Sequence, residues 1–400
     1  MNEPASASTE RLPRSLLTLL AVATGVIIAD LYYIQPLLHE VRGGFGISTG
    51  AATSLMTLSQ VGFALGLAFV LPLGDLVDRR RLLVAIFSLA AVAMALAAVV
   101  HGYALFAPVM VLVGLTSVGA QTTVPLVADL APPTQRGRAI ARVMTGLLVG
   151  ILLSRTISGL VAQAAGWRSV YWLGAVLVGL TAIVLARTVP ADPARAHHHY
   201  GRLLVDPLRL LRDLPVLRRR SLIGALDFAA FNVLWTTLSF HLAAAPFHYS
   251  NAVIGAFGLF GVAGVSAANV AGHVADRQHT ALASSLAVLL VIAAFVVVGV
   301  GSHSLWLLAV GIVVLDAGMQ GLHITNQSII YALRPEARSR INSAYMVSCF
   351  AGAALGSLAS GALYVRAGWT GDAWLGAGLG VVLLGVVAWR PATARSAVSA

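Results

Sequence analysis

The chain has 400 residues, of which 58% are hydrophobic and only 10% are charged, and its mean hydropathy is +0.86. Soluble globular domains carry about 25% charged residues, so this composition excludes a mainly water-exposed fold and indicates a protein whose solvent is lipid. The net charge of +11 comes from 26 basic residues, all of them arginine, so their positions decide between nucleic-acid binding and membrane topology.

Long apolar runs, separated by clusters of Arg, Pro and Asp, follow one another along the whole chain. A helix crosses the hydrocarbon core with about 20 apolar residues, whereas a barrel strand needs about ten alternating ones. The sequence therefore predicts an all-α membrane protein with twelve transmembrane helices in two six-helix, pseudo-symmetric halves. Their predicted ranges are 15–38, 50–72, 82–100, 105–129, 138–164, 169–188, 221–243, 252–272, 281–300, 304–331, 341–364 and 372–389.

The two halves are related by an internal repeat. Twelve residues return at a fixed offset of 202, among them Gly150 as Gly352 and Trp167 as Trp369. A repeat of half the chain predicts parallel halves related by an axis along the membrane normal, an arrangement found in transporters. The predicted segments are an N-terminal tail 1–14, a first half 15–188, a linker 189–220, a second half 221–389 and a C-terminal tail 390–400.

The arginines are unevenly distributed along this pattern. With the N-terminus in the cytoplasm, 22 of the 26 lie in or beside cytoplasmic segments. The positive-inside rule then places both tails and the linker in the cytoplasm, with anionic lipid headgroups as the contact of the basic residues. We therefore expect a multi-pass membrane protein that binds no nucleic acid. The absence of lysine and the abundance of Arg and Ala indicate a GC-rich bacterial genome, so we expect a bacterial inner membrane.

The loop after predicted helix 2 carries a repeated motif, Gly-x-x-x-Asp-Arg. Glycine at a helix end permits close approach of a neighbouring helix, aspartate can accept from exposed helix amides, and arginine pairs with carboxylates or lipid phosphate. The motif predicts a conformational latch, with an ordinary basic turn as the alternative. The latch residues are Gly74, Asp78 and Arg79 in the first half and Gly272, Asp276 and Arg277 in the second.

Predicted helix 5 combines small residues with a charge. Gly146, Gly150 and Gly159 are spaced for tight backbone contact with another helix. Arg155 lies inside the same span, where a charge is costly unless it faces a partner or a polar cavity. Asp30, Asp129 or a substrate anion are the partners that we expect for this arginine.

Acidic residues within spans are candidates for proton coupling. Asp30, Asp316 and Asp227 lie inside predicted helices 1, 10 and 7, and burial favours the protonated form of a carboxyl group. Asp30 is the first candidate and Asp316 the second, while simple pairing with an arginine is the alternative for each. A polar stripe on predicted helix 10 must face protein or water. This stripe comprises Asp316, Gln320, His323, Asn326 and Gln327.

Residues in two places resemble the major facilitator superfamily. The loop residues Gly74, Leu76, Asp78 and Arg79 are similar to its signature, and Tyr32-Tyr33 before Gln35-Pro36 resembles helix 1 of its bacterial drug and sugar efflux branch. The resemblance implies that the latch braces one alternating-access state against helix 11. It also implies that helices 1, 4, 7 and 10 line a substrate cavity. Beside the stripe on helix 10, the cavity residues are then Tyr32, Tyr33, Gln35, Gln121, Asn232, Trp235 and His241.

These features together predict a secondary active transporter, with proton-coupled efflux of small amphipathic molecules by alternating access as the first hypothesis. Uptake of a sugar or organic acid by proton symport is the alternative within transport, and a non-transporting receptor or scaffold is the alternative outside it. We expect no enzymatic activity, no cofactor and no metal site. The expected partners are a small-molecule substrate, protons and lipids, and a monomer suffices because one chain contains both halves.

Overall fold

The structure is a computed structural model, and it describes residues 13–132, 134–191, 200–261, 280–334 and 337–389. Within these ranges all regular structure is helical and no strand is present. Ten of the described helices are long and apolar enough to cross a membrane. The predicted all-α membrane fold is confirmed.

Six helices form the N-terminal half, and two of them depart from regular α-helical bonding near a proline. In the first, the run of backbone hydrogen bonds is interrupted beside Tyr33, because Pro36 has no N–H to donate, while φ and ψ of Tyr33 stay helical. The second tightens from a π-turn, Gly66–Val70, into a 3₁₀ turn, Leu71–Asp75, that contains Pro72. The helices are α1 (Arg14–Phe45), α2 (Thr49–Asp75), α3 (Arg79–Val99), α4 (Tyr103–Leu130), α5 (Arg136–Ala165) and α6 (Trp167–Thr188).

A linker helix, Tyr200–Asp213, precedes the C-terminal half. That half contains α7 (Pro215–Ala243), α8, α9 (Thr280–Val300) and α10 (Leu305–Tyr331). α8 begins as Asn251–Ala256 and is described only to residue 261. The last element, Arg338–Ala388, is broken at Gly368 into α11 and α12.

Several helix boundaries differ from the prediction, and the largest difference is at the end of α1, which continues to Phe45 rather than ending at 38. Two of the other differences have local reasons. α7 begins at Pro215 rather than at 221, because proline fits the first turn of a helix, where its missing N–H is not needed. The predicted gap 365–371 between helices 11 and 12 shrinks to one residue, Gly368, whose φ of 61° is accessible to glycine.

The bundle has two chemically different ends. The turns after α1, α3, α5 and α11 contain Gly46, Gly102, Gly166 and Gly368, all with positive φ, so we name this the glycine-turn end. The opposite end holds the starts of α3 and α5, each of which begins with an arginine, and we name it the arginine-rich end.

The repeat encodes the same helix crossing in both halves. The backbone of α5 at Gly150 lies directly against Gly25 of α1, and the backbone of α11 at Gly352 lies against Ala225 of α7. A side chain at either glycine would collide with the backbone of the other helix, so small residues are required at the crossing. The two halves then meet along α2 and α11, α5 and α8, and α1 and α7.

Candidate functional site

Arg155 lies at the seam between the two halves. It projects from α5, is only 2% exposed, and donates from Nε to Oε1 of Gln35 on α1 at 2.6 Å. Among the described residues no carboxylate lies within 4 Å of its guanidinium. Asp30 and Asp129, two partners expected from the sequence, are therefore not paired with it, and Asp129 forms an ion pair with Arg79.

Three aromatic rings surround this guanidinium. Its Cζ lies 3.8 Å from the ring centroid of Trp235, 5.3 Å from that of Tyr32 and 6.0 Å from that of Phe231. Cation–π contacts stabilise a buried cation but do not neutralise its charge. The site is therefore an aromatic cage that holds an unneutralised positive charge.

Several buried polar atoms at the seam have no hydrogen-bond partner within the described part of the chain. Gln60 on α2 donates to Oδ1 of Asn232 on α7 at 3.1 Å, so this pair also bridges the two halves. An unsatisfied buried polar group costs roughly 1–3 kcal/mol, so each one calls for an explanation, such as an ordered water, an ion or a bound polar ligand. The unpartnered atoms are Gln35 Nε2, Gln60 Oε1, Arg155 Nη2, Trp235 Nε1 and Asp316 Oδ2.

The start of α8 brings Arg155 and Asp316 to the same place. A Cβ added at Gly258 would lie 2.8 Å from Cβ of Arg155, and one added at Gly261 would lie 2.8 Å from Oδ2 of Asp316. Residues three apart share one face of a helix, so both side chains lie against one face of α8. Asp316 is the acidic group that acts electrostatically on Arg155, although the two form no ion pair.

A carboxylate that the sequence analysis did not single out closes the glycine-turn end. Glu40, near the end of α1, accepts from Asn251 Nδ2 on α8 at 2.5 Å and from the backbone N–H of Trp167 on α6 at 3.2 Å. Thr156 on α5 also donates across the seam, to the carbonyl of Gly255 at 3.2 Å. These contacts hold the two halves together on this side of Arg155.

We expect Glu40→Ala to loosen this closure. A hydrogen bond to a charged group contributes about 1.5–3 kcal/mol, so its loss should raise the open population about tenfold or more. The measurement is the rate at which a maleimide labels Thr156→Cys. Native Cys349 is buried and contributes little background.

Glu40→Gln is the matched control for the labelling experiment, because its amide oxygen can still accept from Asn251. It should label at a rate close to that of the parent. Equal labelling rates for Glu40→Ala and the parent would show that this hydrogen bond does not hold the closed state.

The predicted cavity residues divide into three groups. Tyr32, Gln35, Asn232 and Trp235 surround the seam as described above. The second group consists of Gln121 on α4 and of Gln320 and Gln327 on α10. These side chains are half-buried, and within the described chain none of them forms a hydrogen bond to a seam residue. The third group, in which the side chains take part in packing within one half, comprises Tyr33, His241, His323 and Asn326.

Two members of the third group show what this packing is. His241 stacks on Trp369 with ring centroids 4.1 Å apart, and its Nε2 lies 2.9 Å from the carbonyl oxygen of Ser302. Tyr33 lies beside Asp30 and Gly174, inside the N-terminal half. Neither side chain is placed to contact a ligand at Arg155.

His323 and Asn326 belong to a polar chain inside the C-terminal half. Nδ1 of His323 lies 3.0 Å from the hydroxyl of Tyr345, which also accepts from Nδ2 of Asn326 at 3.4 Å. Arg220, near the arginine-rich end, donates to Oδ1 of Asn326 at 3.1 Å. Asp227 lies within electrostatic reach of Tyr345.

The predicted proton carriers have different surroundings. Both carboxyl oxygens of Asp30 and of Asp227 are buried without a hydrogen-bond partner among the described residues. Oδ1 of Asp30 faces Gly174 of α6, and it lies 3.3 Å from the position that a Cβ at Gly174 would occupy. The carboxyl group therefore points toward the interior of the N-terminal half. Asp316 is the one of the three that lies against the same face of α8 as Arg155 and acts on it electrostatically.

The latch residues of the first half form a cluster at the arginine-rich end. Asp78 accepts from the N–H of Arg81 at 3.0 Å and so caps its own helix, α3. Arg79 donates to the carbonyl of Gly74 at 3.0 Å and pairs with Asp75 and Asp129. The expected close approach at Gly74 is not seen within the described ranges, because a Cβ there would meet none of their atoms nearer than 3.8 Å. Gly272, Asp276 and Arg277 lie outside the described residues.

The small residues of α5 serve two interfaces. Gly146 and Gly150 lie against α1, as their spacing predicts. Gly159 lies against Asn251 and Gly255 of α8, so it allows close contact between the halves. The helix α5 therefore carries two glycines that contact α1 within its own half and one glycine that contacts α8 across the seam. Arg155 lies on the part of α5 that faces α8.

Four residues of functional interest were not identified from the sequence. Glu40 lies just past the predicted end of helix 1, and Gln60 and Phe231 are single residues without a motif. Asp372, at the predicted start of helix 12, is buried in the structure, where it accepts from the hydroxyls of Thr237 and Ser360. For Gln60, an amide in the middle of an apolar span was a usable signal.

Two repeated helical halves that meet around buried polar groups have the architecture of a membrane transporter. The chain belongs to the Major Facilitator Superfamily, whose family model matches residues 20–330 and 221–400.

Individual proteins support this assignment. The chain is 42% identical to an uncharacterized transporter, YgaY, of Escherichia coli O157:H7, over 94% of this chain and 95% of that protein. It is 33% identical to a probable transporter of Streptomyces coelicolor, over 90% of this chain and 85% of that protein. The crystal structure of a D-xylose–proton symporter has the same fold, with a TM-score of 0.74, 15% identity and coverage of 93% of this chain and 96% of that one.

Proposed function

We propose that this transporter is proton-coupled and moves small amphipathic molecules by alternating access. The observation that carries the proposal is the set of unpartnered polar atoms around the aromatic cage of Arg155, at the seam where the two halves meet. Such a site binds a molecule with a polar group and an apolar body. Rocking of the two halves about the seam would expose it to each side of the membrane in turn.

The proton carrier that we put first is Asp316. Its carboxyl group lies against the same face of α8 as Arg155, so its protonation changes the charge at the place where a substrate binds. Asp30, the first candidate from the sequence, and Asp227 stay predictions, with their side chains packed inside one half.

Two directions of transport have different support. The resemblance of Tyr32, Tyr33, Gln35 and Pro36 to helix 1 of drug and sugar exporters favours efflux. The unneutralised Arg155 beside Asp316 favours the second candidate, symport of a proton with an organic acid, because a protonated Asp316 leaves the arginine free for an anion. The sign of the pH dependence of binding separates these two candidates.

We also propose a bacterial inner membrane as the location, with the arginine-rich end in the cytoplasm. The helix starts at Arg14, Arg79, Arg136 and Arg338 lie at that end, and the positive-inside rule then orients the bundle. In this orientation the contacts of Glu40 close the outer side.

Reconstitution into proteoliposomes tests the proposed function. With an imposed pH gradient, we expect a substrate-dependent proton flux for at least one compound in a panel of amphipathic drugs, sugars and organic acids. Liposomes that contain Asp316→Asn should lose the proton flux but not the exchange of labelled substrate. Transport that is indifferent to the gradient would contradict proton coupling, and the absence of any transport across the panel would contradict the transport proposal.

A further inference from the structure

Arg155 is a buried cation that forms no ion pair within the described part of the chain. Its side chain is almost fully enclosed, and within the described chain no carboxylate approaches its guanidinium to 4 Å. An isolated charge in a low-dielectric interior is strongly unfavourable unless a partner neutralises it. Aromatic contacts and one amide oxygen reduce this cost without removing the charge.

The unpartnered atoms beside Arg155 are mainly donors. Gln35 and Trp235 both contact the guanidinium directly, and each presents a buried N–H group that has no acceptor among the described residues, as does Nη2 of Arg155 itself. A carboxylate is an acceptor-only group with two oxygens and about four lone-pair sites. It is the simple chemical group that can satisfy several donors and neutralise the cation at once.

The remainder of the cage defines what the carboxylate is attached to. Trp235, Tyr32 and Phe231 present aromatic surface around the guanidinium, at ring-centroid distances of 3.8, 5.3 and 6.0 Å from Cζ. Apolar and aromatic walls around a few placed polar groups are typical of small-molecule sites. A cationic ligand would be repelled by Arg155, and a neutral one would leave its charge uncompensated.

We propose that the substrate is a small organic anion, bound through its carboxylate to Arg155, with its apolar or aromatic body against Trp235, Tyr32 and Phe231. This inference rests on the proposed transport function, since the same site is used for both. It narrows the substrate class, and it holds for either direction of transport.

Calorimetric titration of the purified protein in detergent tests the proposal with matched probes. The acids are acetate, benzoate and 1-naphthoate, and the comparison compounds are 1-naphthamide and 1-naphthylmethylamine. Hydrogen bonds to charged groups predict that 1-naphthoate binds about tenfold to a hundredfold more tightly than the amide. The amine should bind least.

Arg155→Gln should remove the preference for the acid over the amide, and Arg155→Lys should retain part of it because the charge remains. Arg168→Gln is the matched control. Arg168 also lies over an aromatic ring, with Cζ 4.2 Å from the ring centroid of Trp167, but at the glycine-turn end. This control should keep the full preference, which separates loss of binding from a general loss of arginine–aromatic packing.

The comparison of acid and amide uses the unmodified protein, so it does not depend on the folding of a variant. Equal binding of 1-naphthoate and 1-naphthamide, preference for the amine, or no binding of any acid at millimolar concentration would each overturn the anion proposal.

Reconstituted protein distinguishes failure of this inference from failure of the proposed function. Binding of the acids without any transport would overturn the function and leave the anion site standing. Transport of neutral or cationic compounds, with no binding of acids, would overturn the substrate class and leave the function standing.

Discussion

Asp316→Asn is expected to abolish the pH dependence of anion binding and proton-driven accumulation, while downhill exchange persists. In the parent protein, an ionised Asp316 forms no ion pair with Arg155 but acts on it electrostatically, and its negative charge opposes binding of the substrate carboxylate. Protonation of Asp316 removes this charge, so binding of 1-naphthoate should tighten as the pH falls, over the range in which the probe stays ionised. Coupling between two sites is typically 5- to 150-fold, and we expect at least about fivefold here.

The sign of this effect carries a mechanistic meaning. Because linkage is reciprocal, an anion that binds better to the protonated site also draws a proton to it, and the two then travel together as in symport. Binding that weakens as the pH falls would instead indicate competition between substrate and proton, as antiport requires. The titration therefore distinguishes the organic-acid symporter from the exporter.

Arg155 is the charged group that acts on Asp316. Asp227→Asn is the matched control, since it removes a second buried carboxyl of the C-terminal half that lies near Tyr345. It should keep the pH dependence. If the dependence survives in Asp316→Asn and disappears in Asp30→Asn, the proton carrier is Asp30. The other titratable or charged residues on α10 and on the described helices packed against it are His323, Tyr331, Arg218, Arg219, Arg220, Asp227, His241, Arg338, Arg340, Tyr345, Cys349, Tyr364, Arg366 and Asp372.

The sequence was sufficient for the helices and for their internal repeat. Apolar runs bounded by Arg, Pro and Asp mark membrane spans because backbone groups in lipid must be paired within a helix. Gly150 was predicted to make a tight contact with another helix, and it lies against α1, while its equivalent in the repeat, Gly352, lies against α7 in the same way. Such features depend on local composition and spacing, which a single sequence displays directly.

The site itself depends on which way each helix faces, and depth in the membrane does not fix this direction. Asp30 and Asp316 both lie inside spans, yet Asp30 points at Gly174 within one half and Asp316 lies near Arg155 at the seam. Likewise, the sequence marks Gln60 only as a polar residue within an apolar span, whereas its hydrogen bond to Asn232 shows that it bridges the two halves. Contacts between distant segments have no local signature in one chain.

The crossing of α1 and α5 is expected to be intolerant of a single methyl group. A Cβ at Gly150 would collide with the backbone of α1 at Gly25, and backbone atoms cannot move aside as a flexible side chain can. Overpacking a well-packed site costs about 1–3 kcal/mol, and occasionally more, so Gly150→Ala should clearly lower the midpoint of thermal unfolding in detergent. Gly352→Ala should do the same, because the repeat places it against Ala225.

Gly137→Ala, on the same helix as Gly150, is the control, since a Cβ there meets no atom of the described residues within 4 Å. Alanine has a higher helix propensity than glycine, so this variant should be neutral or slightly more stable. Equal stability of Gly150→Ala and Gly137→Ala would mean that α1 and α5 can separate without cost.

The same crossing also positions Arg155, which follows Gly150 on α5 and donates from Nε to Gln35 of α1. A collision at Gly150 should therefore also weaken 1-naphthoate binding. Loss of stability and of binding together in Gly150→Ala, with both retained in Gly137→Ala, would show that this close helix crossing positions the arginine in its aromatic cage.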